Sequence, residues 1–225
     1  MTAAPGLALK WWREGEAAFS ATVDGLTDDE LAVASPLPGW TRTTIIAHVA
    51  RNADALVNLL AWARTGIEAP MYASPASRDA DIATTAALPP AALRADLIDA
   101  RTRLADAVEQ LSETAWVAQV RTAQGRIIPA HEVVWMRDRE VWVHAVDLGA
   151  TTSVWPEELA VALIDDVLAM FTRREQTPEV TLVAGERTWG SGSIVIRASV
   201  TETAAWLTGR GPAPTADAPR LPGWL

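Results

Sequence analysis

The sequence contains no cysteine. Disulfide bonds, thiolate zinc sites and a cysteine nucleophile are therefore excluded, and any thiol chemistry needs a thiol from outside the chain. Basic residues are also few, with 19 Lys and Arg against 28 Asp and Glu and a formal net charge of -9. Because this charge repels phosphate groups on average, we expect no nucleic-acid partner and no attachment to anionic membranes.

Long apolar runs are absent as well, and no uninterrupted apolar stretch reaches membrane-spanning length. Residues 1–9 have neither the basic lead nor the apolar core of a signal peptide, so we expect a cytoplasmic protein. The hydrophobic share is 49%, with 11 Trp but only 2 Phe and 1 Tyr. Over 225 residues, this composition predicts a compact globular protein with a full core.

Apolar residues recur at helical spacing in four long segments. The segments run from about 7 to 25, from an N-cap at Thr41 to a stop at Gly66, from Pro89 and Pro90 to about 111, and from Pro129 to Gly149. Residues 68–88, which include Pro70 and Pro75, predict a long irregular connection, whereas residues 116–128 predict a short extended or hairpin-like segment. Four helices with one long crossover predict a four-helix bundle over residues 1–150.

The remainder of the chain has a different pattern. It predicts a helix over about 156–174, strand-like runs at 179–183 and 192–198, and a short helix at 201–207. These elements predict a small α+β domain over residues 151–225. The predicted fold class is therefore mainly α, with a helical bundle followed by a smaller C-terminal domain.

Glu140 and His144 lie four residues apart in the fourth predicted helix, so their side chains leave one face about one turn apart. The spacing alone favours an ordinary surface pair. However, most of this helix is apolar, and charges in such a setting need partners, which a metal ion could provide. His48 lies in a separate apolar helix, where a lone histidine is more often a hydrogen-bonded core residue. Together the three residues match an open zinc site of two histidines and one carboxylate.

Asp147 lies seven residues after Glu140 and returns to the same helix face. It could orient a metal ligand or bind substrate, or it could simply be a polar residue near a helix end. His131, nine residues before Glu140, faces the opposite side and is a poor candidate ligand. Spacing assigns no role to Arg137 or Arg139, which could be solvated or could neutralise the carboxylates. No phosphate loop or serine nucleophile elbow is present.

Several segments also match a known family. They are GWTR at 39–42, IAHVA at 46–50, PMYASP at 70–75 followed by Arg78, TAQGR at 122–126, WMR at 135–137, REVWVHAVDLG at 139–149, GRG at 209–211 and the closing WL. In these segments the sequence resembles the mycothiol-dependent maleylpyruvate isomerases. The resemblance implies a DinB-like helical bundle with a smaller C-terminal domain.

The resemblance also implies the site residues. A divalent metal, normally zinc, would be held by His48, Glu140 and His144, with water in the open position. Arg78 and Arg210 would anchor the substrate or the thiol cofactor. The expected partners are a small dicarboxylate substrate and the low-molecular-weight thiol mycothiol, and we expect a monomer.

The implied reaction is the conversion of maleylpyruvate to fumarylpyruvate in gentisate-type aromatic degradation. The mycothiol sulfur would replace the metal-bound water, ionise because the metal lowers its pKa, and add to the double bond. Rotation about the resulting single bond and loss of the thiol would give the trans isomer. Two alternatives remain open at this point: a DinB-like mycothiol S-transferase, and a non-enzymatic ligand-binding or regulatory module.

Overall fold

A computed structural model describes residues 5–224 of the chain. Its described residues form two compact units, 5–149 and 150–224. The first unit contains α1 (Pro5–Asp24), α2 (Asp28–Leu31), α3 (Arg42–Thr65), α4 (Pro75–Ala86), α5 (Pro90–Glu109), α6 (Glu113–Trp116), β1 (Gln119–Arg121), β2 (Ile127–Pro129) and α7 (Glu132–Leu148). The four long helices predicted from the sequence are confirmed, and the segment predicted as extended or hairpin-like is the antiparallel hairpin of β1 and β2.

Local sequence signals explain where the central helix begins and ends. The Thr41 side chain caps the N-terminus of α3 by accepting a hydrogen bond from the backbone N–H of Thr44. At the other end, Gly66 has a φ of 74°, a left-handed conformation that glycine adopts without steric cost. The helix between them is buried along most of its length, so it forms the centre of the first unit.

The prediction of an irregular connection over 68–88 is wrong for its second part, because Pro75–Ala86 forms α4. Pro75 occupies the first turn, where a missing N–H costs no hydrogen bond. Ser74 and Ser77 form a reciprocal capping box that stabilises this start. Arg78 therefore lies on a helix rather than in a loop.

The four-helix bundle is made of α1, α3, α5 and α7. Helix α3 packs against α4, α5 and α7, while α1 packs against α7. Gly15 permits the close approach of α1 to α7, because a Cβ at this position would overlap Val141 and Trp142. The pair α3 and α7 is thus held at the middle of the unit, and it carries the three predicted metal ligands and Asp147.

The second unit begins with a short 3-10 turn, Thr152–Val154. Its other elements are α8 (Glu157–Arg173), β3 (Val180–Ala184), β4 (Arg187–Gly190), β5 (Ile194–Arg197) and α9 (Val200–Leu207). The central strand β3 pairs antiparallel with β4 and parallel with β5. Strand β4, which is mostly exposed and polar, was not predicted. The mainly α fold with a smaller α+β part is confirmed. Within residues 5–224, no helix is long and apolar enough to cross a membrane.

Asp138 on α7 is fully buried, and neither of its carboxylate oxygens has a hydrogen-bond partner among the described residues. Burial, with the nearby charge of Glu16, raises the pKa of Asp138 to about 9, against the opposing effect of Arg137 and Arg139. The folded protein therefore holds a proton on this group at pH values at which the unfolded chain has released it.

Folding stability is consequently expected to fall as pH rises from about 4 to about 9, by up to about 1.4 kcal/mol per pH unit from this group. The variant Asp138→Asn should lose this contribution and be more stable than the parent protein at pH 8. Chemical denaturation at pH 5 and pH 8 measures both effects. If the free energy of unfolding changes by the same amount between pH 5 and pH 8 in the parent protein and in Asp138→Asn, the raised pKa of Asp138 is contradicted.

Candidate metal centre

His48, two turns into α3, meets Glu140 and His144 of α7. One nitrogen of each imidazole and one oxygen of the carboxylate all lie within 4.8 Å of one another. Glu140 Oε2 is 2.8 Å from His48 Nε2 and 3.3 Å from His144 Nε2. The two rings are nearly perpendicular, at 82°, with centroids 4.9 Å apart. Residues 92 positions apart in sequence thus direct three potential ligand atoms at one point.

The three side chains are largely withdrawn from solvent, with 9%, 13% and 5% of their surface exposed for His48, Glu140 and His144. Burial raises the pKa of Glu140, but the charges and hydrogen bonds of the two histidines outweigh burial and hold that pKa well below its usual value. Glu140 is therefore an anion at neutral pH, as a metal ligand must be.

The two histidines differ in their second hydrogen bond. The Nδ1–H of His144 donates to Asp147 Oδ2 at 2.8 Å, which leaves Nε2, 3.3 Å from Glu140 Oε2, as the nitrogen that a metal ion could bind. Burial lowers the pKa of His144, but the hydrogen bonds to Asp147 and Glu140 outweigh it and raise that pKa. The pKa of His48 is lowered, chiefly by burial. Arg78 Nη2 lies 3.3 Å from His48 Nδ1 and donates to it, so His48 Nε2–H donates to Glu140.

Arg78 on α4 also contacts two neighbours besides His48. Its Nη1 pairs with Asp79 at 2.8 Å, and its guanidinium carbon is 5.8 Å from the centroid of the Tyr72 ring. Burial and the charge of Glu140 raise the pKa of Tyr72, whose phenol keeps its proton at neutral pH. A cation and a phenol therefore border the carboxylate and the imidazoles.

The structure also describes two other residues considered from the sequence. Arg210 belongs to the second unit, in the segment after α9, where its Nη1 donates to the carbonyl oxygen of Thr208 at 2.7 Å. His131 is the N-cap residue of α7 rather than a helical residue. The first unit thus brings together His48, Glu140, His144, Asp147 and Arg78.

Arg137, to which the sequence assigned no role, is the largest fully buried side chain of the described residues. Its Nε lies 2.7 Å from Glu16 Oε1, and its Nη1 donates to Val49 O and Asn52 Oδ1 on α3 at 2.7 and 3.1 Å. Glu16 is 121 residues away, so no spacing signal could have revealed this contact. It connects α1, α3 and α7 next to the ligand positions.

Asp147→Asn should weaken metal binding by about 10- to 100-fold, because the amide is a poorer acceptor for the Nδ1–H of His144. Competition with a chromogenic chelator measures this affinity. Asp96→Asn is the matched control, since Asp96 pairs with Arg51 instead. Equal affinities for the parent protein and Asp147→Asn would show that Asp147 does not orient the ligand.

The fold and this cluster define a class: helical-bundle proteins with an open metal site of two histidines and one carboxylate. The family model described as mycothiol maleylpyruvate isomerase N-terminal domain matches residues 12–149. The chain belongs to the mycothiol-dependent maleylpyruvate isomerase family, as the resemblance had indicated.

Solved structures agree with this assignment. The crystal structure of a mycothiol-dependent maleylpyruvate isomerase is similar to this chain with a TM-score of 0.93 and 36% sequence identity, covering 100% of both chains. The crystal structure of a histidine-to-alanine mutant of a mycothiol-dependent maleylpyruvate isomerase gives the same values. No curated protein matches the chain significantly.

Proposed function

We propose that this protein isomerises maleylpyruvate to fumarylpyruvate with mycothiol as the thiol cofactor, in gentisate-type aromatic degradation. Membership of the family supports the reaction type. The observation that carries the proposal is the convergence of His48, Glu140 and His144 within 4.8 Å, in a chain that has no thiol of its own. The reaction needs a thiolate that adds to the cis double bond, rotation about the new single bond, and loss of the thiolate.

We propose zinc, or another divalent metal, as the ion held by these three residues. Two imidazole nitrogens and one carboxylate oxygen are a donor set that suits zinc and leaves a coordination position open. A divalent metal bound there lowers the pKa of a thiol so that a thiolate exists at neutral pH. The hydrogen bond from His144 to Asp147 supports the donor set, since it occupies Nδ1 and leaves Nε2 as the nitrogen available to the ion.

Arg78 and Arg210 are proposed as anchors for carboxylate groups of the substrate or cofactor. Guanidinium groups bind carboxylates through paired, charge-assisted hydrogen bonds. The position of Arg78 supports this role, because the side chain contacts His48 and keeps 31% of its surface exposed. For Arg210, the support is the family segment GRG at 209–211.

The remaining proposals concern organisation. We propose a metal-binding bundle domain over 1–150, a small α+β domain over 151–225, and a monomeric cytoplasmic enzyme that acts on small molecules and binds no nucleic acid. Size-exclusion chromatography with light scattering tests the monomer directly: one chain has a mass of 24.1 kDa.

Product analysis separates the isomerase from the transferase alternative. Purified protein is incubated with mycothiol and either maleylpyruvate or an unrelated electrophile, and the products are identified by mass spectrometry and NMR. We expect fumarylpyruvate with no net consumption of thiol. If stable mycothiol conjugates form without fumarylpyruvate, the protein is an S-transferase rather than an isomerase. If neither product forms and the protein holds no metal, the ligand-binding module is favoured.

Arg78→Ala should reduce kcat/KM for the isomerisation by about 10- to 1,000-fold, the range for loss of a charge-assisted carboxylate contact of about 1.5–4 kcal/mol. Zinc content should stay at the level of the parent protein, because Arg78 supplies no ligand atom. Steady-state kinetics with metal analysis measures both. Arg64→Ala, at the end of α3, is the control, and an equal loss in both variants would contradict the anchoring role.

A further inference from the structure

Trp40 contacts both imidazoles of the candidate metal centre. Its ring centroid is 5.3 Å from that of His48, in an edge-on arrangement, and 6.4 Å from that of His144, in a stacked arrangement with a 16° interplanar angle. Both separations lie in the range of favourable aromatic contacts. One indole thus touches histidines that come from two different helices, α3 and α7.

The backbone that carries this indole is held firmly. The N–H of Trp40 donates to Leu37 O at 3.0 Å, and its carbonyl oxygen accepts hydrogen bonds from both the backbone N–H and the hydroxyl of Ser35, at 2.8 and 2.9 Å. Gly39 before it has a φ of 77°, and Thr41 after it caps α3. The backbone that carries the ring is therefore fixed relative to the first turn of the helix that carries His48.

The two histidines depend on this ring to different degrees. His144 has a buried carboxylate partner, Asp147, at 2.8 Å. The second partner of His48 is Arg78, a longer contact of 3.3 Å from a side chain that is 31% exposed. A flexible, partly exposed arginine restrains an imidazole less than a buried carboxylate does, so packing against the Trp40 ring has more to contribute to the orientation of His48 than to that of His144.

We infer that Trp40 is a positioning residue for the metal centre: its indole restrains the ring planes of His48 and His144 so that both Nε2 atoms face Glu140. The inference rests on the proposed metal site and adds a residue outside the ligand set. Ligand orientation is part of metal affinity, because a ring free to rotate must be ordered when the ion binds.

The test uses Zn²⁺ and Co²⁺ alone, without thiol or substrate. Trp40→Leu should bind Zn²⁺ about 10- to 100-fold more weakly in chelator competition, as expected for loss of a group that orients a ligand. Its Co²⁺ complex should show a changed visible absorption spectrum, which reports coordination geometry rather than stability. Trp40→Phe, which retains an aromatic face, should recover most of the affinity.

Two further variants keep the test decisive. Trp135→Leu removes a buried indole that pairs with Trp11, and it should leave both the affinity and the Co²⁺ spectrum unchanged. Gly39→Ala strains the turn before Trp40 without steric overlap, and it should weaken Zn²⁺ binding in the same direction as Trp40→Leu even if the latter fails to fold. Parent-like affinity and spectrum in Trp40→Leu and Gly39→Ala, or an equal loss in Trp135→Leu, would overturn the inference while leaving the proposed function standing. A parent protein that binds neither metal would overturn both.

Discussion

Glu140→Gln is expected to abolish tight metal binding and to lower mycothiol-dependent isomerase activity on the order of 1,000-fold. Glu140 Oε2 lies between the Nε2 atoms of His48 and His144, at 2.8 and 3.3 Å, so the amide removes the only negative charge from the ligand set. A bound metal ion of this kind lowers the activation free energy by several kcal/mol, and each 1.4 kcal/mol corresponds to a factor of ten in rate. Elemental analysis after dialysis against a chelator, together with the isomerase assay, measures the effect.

The matched control is Glu132→Gln on the same helix, since Glu132 pairs with Arg126 at 3.5 Å rather than with a histidine. His48→Ala should reproduce the loss seen in Glu140→Gln, because it removes a ligand from the other helix. Full zinc content and activity in both site variants would contradict the assignment of the ligands.

Arg137→Met is expected to cost about 3–5 kcal/mol of folding stability, the largest effect outside the metal centre. Removing this guanidinium leaves the Glu16 carboxylate without its buried cationic partner and the carbonyl of Val49 without its hydrogen bond from Arg137. Burial raises the pKa of Glu16, and the charges of Arg137 and Arg101 outweigh that effect and lower it, so Glu16 is charged in the folded protein. Chemical denaturation measures the loss.

Arg101→Met gives the comparison, because Arg101 pairs with the other oxygen of Glu16 at 2.8 Å but is 27% exposed. It should cost roughly 1 kcal/mol, as partly exposed ion pairs do. The double variant Glu16→Leu with Arg137→Met should regain stability relative to Arg137→Met, since the buried carboxylate is removed with its buried cation and the charge that remains, on Arg101, is partly exposed. Equal costs for Arg101→Met and Arg137→Met would show that burial of Arg137 has no special energetic role.

Several parts of this structure were predictable from the sequence because their causes are local. Thr41 and Gly66 bound α3 through a cap and a left-handed turn, and the four-residue spacing of Glu140 and His144 placed them on one helix face. The seven-residue step from Glu140 to Asp147 also indicated a shared face, and Asp147 accepts the hydrogen bond from His144. By contrast, the sequence pattern alone left the grouping of His48 with Glu140 and His144 as a hypothesis, and the family resemblance was needed to support it.

Other features were missed because their causes are ambiguous locally or distant in sequence. Pro75 falls in the predicted long irregular connection, although after a serine cap it begins α4. The contact between Arg137 and Glu16 spans 121 residues, and the contact of Trp40 with two histidines depends on the packing of α3 against α7. Periodicity indicates on which face of a helix a side chain lies, but it does not indicate which residue of another element that side chain will contact.

The central claim, a metal-dependent thiol chemistry at His48, Glu140 and His144, is tested most directly by titrating metal-stripped protein with Zn²⁺ while following fumarylpyruvate formation from maleylpyruvate. We predict that activity rises linearly, saturates at one Zn²⁺ per chain and is lost when mycothiol is omitted. Full activity in the stripped protein, or saturated activity without mycothiol, would contradict the account.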